Sequence, residues 1–194
     1  MELDTRSFAV SRRFGLALGK EAAVAVTAAE DDHAAHAGMD MSHPMTPPTC
    51  SPTWAQPSVT GAKVYVACNK ADEVVEIDRA SWTITRRFKT GRGPYNLGVT
   101  PDGTLLLVTL KQGGSFQAFD LASGLSVMTI TSSTTITNGV AVSPNSRYAF
   151  VSSEGVGAAP GYVDVYDLAA KGRAAAVPVG QQAGGIAFWR TGDR

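Results

Sequence analysis

The sequence predicts an all-β chain built of β-propeller blades, each of four antiparallel strands. Three observations carry that prediction. Short apolar runs alternate with turn residues along most of the 194 residues. A four-run unit recurs with a period near 42 residues, the period of propeller blades. No stretch reads as an amphipathic helix.

One cycle of the unit is clearest over residues 74–110. Residues 74–77 alternate and end at Asp78. Residues 82–88 set Trp, Ile and Phe against Thr and Arg. Residues 95–99 run into Pro101-Asp102-Gly103, where Pro fixes φ, Asp bonds its own backbone and Gly accepts positive φ. Residues 105–110 form a near-continuous apolar run, as a strand buried on both faces requires. Asp78 is expected to close the third strand through an Asx-type bond.

The same aspartate recurs as Asp4, Asp78, Asp120 and Asp167. The second and third intervals are 42 and 47 residues, but the first is 74, so a segment is inserted there. Arg12-Arg13-Phe14 and Arg86-Arg87-Phe88 fall at one offset from their anchors. They read as solvated outer-strand faces or edge protection. After each anchor an innermost strand of the next blade is expected, at AAVAVT, NLGVTPDG, NGVAVSPNS and GGIAFWRTGD.

Val64-Tyr65-Val66-Ala67-Cys68-Asn69 stands where the YVTN-type β-propeller family writes its Y-V-T-N strand. The following DEVVEIDRASWTITRRFKTGRGPYNLGVTPDG resembles that family's recurring line. The likeness covers nearly all of the chain outside the insert. Thr109-Leu110 and Ser152-Ser153 replace the T-N pair in later copies, and no Trp-Asp dipeptide closes a strand as in WD40 repeats. The resemblance implies an exported, seven-bladed, YncE-like propeller, a group mostly without assigned catalysis. Its wider superfamily includes the quinoprotein amine dehydrogenase β-chain-like and cytochrome cd1-type propellers.

The expected division follows. Residues 1–27 are a partial blade and the first strand of the next, 28–61 an inserted loop, and 62–91 the rest of the first complete blade. Residues 92–134 and 135–180 are the second and third blades. Residues 181–194 carry the innermost strand of a further blade, at 185–189. A chain that begins in mid-blade is expected to be an N-terminally truncated fragment, its N-terminal blades and signal peptide missing. A small closed propeller, in which 185–189 joins residues 1–14 in a three-stranded fourth blade, and self-association of two arcs are the alternatives.

Lys+Arg equals Asp+Glu at 17 each, so no long-range field favours nucleic acid or an anionic membrane. No apolar run is long enough to span a bilayer.

The insert lacks strand periodicity, is rich in Pro in its second half, and holds all three histidines. His33, His36, Met39, Met41, His43 and Met45 lie within thirteen positions. Imidazole suits copper, zinc and nickel, and thioether selects soft Cu(I), so copper is the expected ion. A solvated Ala/Pro loop with chance His and Met is the plainer alternative. Structural zinc is disfavoured without a C-x-x-C pair. Cys50 and Cys68 are expected to pair in a disulfide suited to an oxidising periplasm. Two free thiols, or Cys50 as a thiolate ligand, are the alternatives.

A protein or small-molecule ligand is expected at the propeller channel, with Arg92, Tyr95, Asn96, Asn138 and Gln181 as contact candidates. Lys70, Lys111, Gln112 and Glu154 lie on the loops after the second strands. No Ser-His-Asp set is available, because every His is in the insert. No paired carboxylates repeat at a channel position, and no C-x-x-C-H haem motif occurs. The expectation is an exported, periplasmic or secreted, non-catalytic binding scaffold with a copper-holding loop. The alternative is the propeller portion of a periplasmic redox enzyme whose cofactor part lies elsewhere.

Overall fold

The computed structural model describes residues 1–16, 22–24 and 50–189. Every element among them is a strand. β1 (Glu2–Leu3), β2 (Val10–Gly15) and β3 (Ala22–Val24) form a three-stranded sheet in that order. Three four-stranded antiparallel sheets follow. The first is β4 (Pro52–Pro57), β5 (Lys63–Cys68), β6 (Glu73–Asp78) and β7 (Thr83–Lys89). The second is β8 (Pro94–Val99), β9 (Leu105–Leu110), β10 (Ser115–Asp120) and β11 (Ser126–Thr131). The third is β12 (Ile136–Val142), β13 (Tyr148–Glu154), β14 (Gly161–Asp167) and β15 (Gly172–Val179). Strand order within each sheet is sequence order, which makes each a meander. These are the blades that the repeat predicts.

The turns follow from local side-chain chemistry. Asp78 accepts the Ser81 N–H at 2.8 Å and the Ser81 hydroxyl at 3.0 Å. Asp4, Asp120 and Asp167 make the same kind of turn. These bonds hold all four carboxyls below the usual Asp range. The largest effects are Lys63 on Asp78, the Ser7 N–H on Asp4, Ser123 on Asp120 and the Ala170 N–H on Asp167. Four residues past each anchor the backbone is left-handed, at Phe8, Trp82, Gly124 and Lys171. Only one of the four is glycine, so three turns hold a side chain against the backbone preference. Trp82 repays that cost: its indole N–H donates to the Arg13 carbonyl at 2.8 Å and its ring meets Phe14 edge-on. At the Pro-Asp-Gly turn, the Gly103 N–H donates to the Thr100 carbonyl at 2.7 Å with φ +73°.

Each junction between sheets has its own core. Tyr65, Val74 and Phe88 pack against Leu97, Leu106, Val108 and Phe119. Leu107, Phe116 and Met128 pack against Val140, Val151, Tyr166 and Leu168. β9 serves both junctions by alternation, Leu106 and Val108 facing one and Leu107 the other. The innermost strands β4, β8 and β12 lie side by side.

Three expectations are corrected. Residues 52–57, assigned to the insert, form the innermost strand of the first complete blade, and Ser58–Gly61 is its hairpin turn, closed by the Gly61 N–H on the Ser58 carbonyl at 2.9 Å. Two prolines hid the strand. Both sit at its ends, on the sheet's edge, where a missing N–H costs no ladder bond. Residues 22–24 instead pair with β2 in the partial sheet. Residues 185–189 adopt no strand, because no neighbour among the described residues offers them a ladder; they lie on the third sheet, with Phe188 6.3 Å from Phe150. They do not join residues 1–14, so the small closed propeller is not formed.

The paired arginines are also more than solvated faces. Arg12 donates to the Arg79 carbonyl and Arg86 to the Leu121 carbonyl, each at 2.7 Å. Each acceptor directly follows the next anchor aspartate, so these residues link the outer ends of adjacent sheets. At the third junction Met128 occupies the equivalent offset and packs in the cluster that contains Leu168.

Burial pushes the Tyr65 and Tyr166 phenols up to about 12, with Glu76 and Asp164 respectively adding to the effect. The folded chain therefore resists losing these protons, while the unfolded chain loses them near the ordinary value. Their contribution is fully present below about pH 10 and is lost as pH rises toward 12. In an absorbance titration, these two tyrosines are expected to ionise late and together with unfolding. Tyr65→Phe and Tyr166→Phe should each remove amplitude from that late step. Full ionisation of all five tyrosines while the fold persists would contradict their burial.

Candidate binding rim

Because strand direction alternates, the segments 69–72, 90–93, 111–114, 132–135 and 155–160 emerge at one rim, and residue 50 enters there. Each innermost strand slips register at the same place near this rim: between Pro52 and Trp54, Pro94 and Leu97, and Thr137 and Val140. The slip turns backbone groups toward the neighbouring blade, where hydroxyls meet them. Thr109 Oγ1 accepts the Asn96 N–H at 2.9 Å and donates to the Asn138 carbonyl of the next blade at 2.6 Å. Ser152 repeats this, accepting the Gly139 N–H at 3.0 Å and donating to the Gly184 carbonyl at 2.8 Å. In the first blade Ala67 occupies that place and has no hydroxyl. Thr53 takes over, donating to the Tyr95 carbonyl at 2.8 Å.

On this latch stands a polar cluster. Lys111 Nζ lies 4.4 Å from the Tyr95 ring centroid and 4.0 Å from Glu154 Oε1. Asn138 Nδ2 donates to the same Glu154 oxygen. Asn69 extends the network to the first blade, its Nδ2 donating to the Pro94 carbonyl at 3.1 Å and its Oδ1 accepting from Gln112 at 3.3 Å. Cys68, directly before Asn69, is joined to Cys50 by a disulfide. Both cysteines are therefore paired, and the free-thiol and thiolate-ligand alternatives fall away.

Of the five channel candidates, the structure brings Tyr95 and Asn138 together through Lys111 and Glu154. Asn96 takes part through its backbone. Gln181 is exposed, and its carbonyl accepts the Gly155 N–H at 2.7 Å. Arg92 is exposed on the rim, its carbonyl accepting the Gly113 N–H at 3.0 Å. The latch residues Thr53, Thr109 and Ser152 were missed as a set. A hydroxyl recurring near the end of each second strand was the available signal, and Ala67 broke it. His33, His36, Met39, Met41, His43 and Met45 lie outside the described residues. Among the described residues, no group of three His, Cys, Asp or Glu converges, and no helix is long and apolar enough to cross a membrane.

The repeated four-stranded sheets and their shared rim define an all-β protein of propeller blades. No family model matches the sequence, and no curated protein matches it. Among solved structures it is similar to U3-55K, with 13% identity and a TM-score of 0.62 over 69% of this chain and 41% of that one. It also matches Kuenenia stuttgartiensis hydrazine synthase, with 15% identity and a TM-score of 0.46 over 74% of this chain and 53% of that one. Both contain propellers. The chain thus spans about half, or less, of the length of either, and at such identity the likeness concerns the fold alone.

Proposed function

We propose that this chain is a non-catalytic, exported binding scaffold of the YVTN kind, in which residues 33–45 hold copper and the rim around Tyr95, Lys111, Asn138 and Glu154 meets a ligand. The observation that carries the reading is the Cys50–Cys68 disulfide. It ties the chain five residues after Met45 to the residue preceding Asn69, and Asn69 bonds the second blade beside Tyr95. In the sequence, the His/Met run of residues 33–45 ends five residues before this crosslink. The disulfide also suits an oxidising compartment. Imidazole and thioether donors together accept both copper states, with thioether favouring Cu(I).

The test is titration with Cu(I) and Cu(II) against a variant carrying His33→Ala, His36→Ala and His43→Ala. Loss of Cu(II) affinity by at least roughly tenfold is expected, since each imidazole removed is a ligand lost. Additional Met39→Leu, Met41→Leu and Met45→Leu changes should weaken Cu(I). Equal binding by wild type and all variants would reject the copper role.

A further inference from the structure

We propose that the junction between the second and third blades binds an internal water molecule, bridging the hydroxyls of Tyr166 and Ser153 where the preceding junction is sealed by apolar side chains. This inference is independent of both the copper and the rim-ligand readings.

Strand pairing brings the polar groups onto one face. Cross-strand partners share a face, so Thr137 and Ser153, Val151 and Asp164, and Ala149 and Tyr166 all look the same way. Ala149, Val151 and Tyr166 belong to the core shared with Leu107 and Phe116, so that way is toward the second blade. The Tyr166 ring stacks on Phe116 at 4.7 Å. Tyr166 lies near the end of β14 far from the rim, and Phe116 near the rim end of β10, so the stacked ring carries its hydroxyl toward the rim. Ser132 and Asp164 stand beside that hydroxyl and act on its ionisation. Ser132 also accepts the Thr137 hydroxyl at 2.9 Å, and Thr137 faces Ser153 across the ladder.

Tyr166 and Ser153 are both 0% exposed, yet neither hydroxyl has a hydrogen-bond partner among the described residues. Asp164 is turned to the connector, accepting the Ser133 N–H at 2.8 Å and the Ser133 hydroxyl at 2.6 Å. A buried hydroxyl left unpaired bears its whole desolvation penalty, and native interiors meet such groups with ordered water.

The preceding junction shows what was exchanged. Val108 pairs with Leu97 and Gln117 as Val151 pairs with Val140 and Asp164. On that match Ser153 stands for Leu110 and Tyr166 for Phe119, both core residues of the first junction. The connector bond is kept, Gln117 accepting the Gly91 N–H at 3.1 Å as Asp164 accepts that of Ser133. Serine is smaller than leucine and tyrosine adds a hydroxyl to phenylalanine, so the exchange opens room and lines it with polar groups. These are the two conditions for a hydrated interior site. Thr137 and Ser153 directly precede Asn138 and Glu154, so the water also steadies the strand ends that carry those rim groups.

Diffraction from crystals of the 194-residue chain should show an ordered water within about 3.2 Å of both Tyr166 Oη and Ser153 Oγ. In urea unfolding, Tyr166→Phe and Ser153→Ala should each raise the unfolding equilibrium constant roughly three- to tenfold, the loss of one buried hydrogen bond. The double variant should exceed Tyr166→Phe by less than about twofold, because the bridge is already broken. Hydroxyls that pair with nothing would behave oppositely, their removal leaving the constant unchanged or lowering it. That outcome, a full second loss in the double variant, or density with Tyr166 bonded directly to Ser132 and no water would each overturn the inference.

Discussion

Phe88→Ala is expected to lower the unfolding free energy by about 4 kcal/mol, the middle of the range for buried aromatics. Phe88 is 1% exposed and sits on β7, at the outer part of the junction between the first and second blades. Tyr65 and Phe119 meet it edge-on at 6.2 and 5.4 Å, one from each blade, and the Arg86 guanidinium covers its ring at 5.4 Å. Removing the ring takes away contacts on both sides and leaves a cavity that two rigid sheets cannot collapse. A blade array is close to one-dimensional, each unit held mainly by its neighbours. The loss should therefore concentrate at one junction. Urea unfolding measures the total, and hydrogen exchange should show earlier opening in β6, β8 and β10 than in β14. Val59→Ala is the comparison, since Val59 is 58% exposed and should change stability by less than about 0.5 kcal/mol. A Phe88→Ala loss below about 1.5 kcal/mol would mean that the two sheets do not share this core.

What the sequence made legible was local. Asp4, Asp78, Asp120 and Asp167 announce their turns because the carboxylate bonds backbone two or three residues on, and no distant partner is needed. Pro101-Asp102-Gly103 is readable for the same reason. β4 was hidden because Pro52 and Pro57 imitate a loop, although the six-residue step from Pro52 to Ser58 repeats the step from Pro94 to Thr100. The links between blades were less visible still. Arg86 looks like a surface cation until the Leu121 carbonyl is set beside it, and Thr109 looks like a β-branched filler until Asn138 is. Such roles depend on groups about thirty residues away, whose direction a repeat period does not encode. The Lys111–Glu154 pairing across the second and third blades was out of reach for the same reason.

Replacing Cys50 and Cys68 together by alanine should lower stability by about 3 kcal/mol, the loop-closure entropy for a crosslink spanning 18 residues. Both cysteines are buried, so each alanine adds a small packing loss. The effect should be local as well as global. β4 is an edge strand whose ladder begins with a proline, and among the described residues it is fastened at this rim by the Asn69 N–H on the Ser51 carbonyl at 3.2 Å, the Lys70 N–H on the Cys50 carbonyl at 3.1 Å, and Thr53 on the second blade. Without the crosslink, amides of β4 and β5 near the rim should exchange faster, while those of β13 keep their protection. Reductant should move the wild-type urea midpoint to that of the double variant and leave the variant where it was. A wild-type midpoint indifferent to reductant would show that the covalent link adds nothing to the fold. The same pair of proteins separates anchoring from ligation. If the His/Met segment binds copper through its own side chains, the double-alanine variant should keep a Cu(II) affinity within roughly threefold of the oxidised wild type, because no cysteine belongs to the ligand set. A tenfold gain in Cu(I) affinity on reduction would instead make the released thiolates ligands, and would move the metal from residues 33–45 to Cys50 and Cys68.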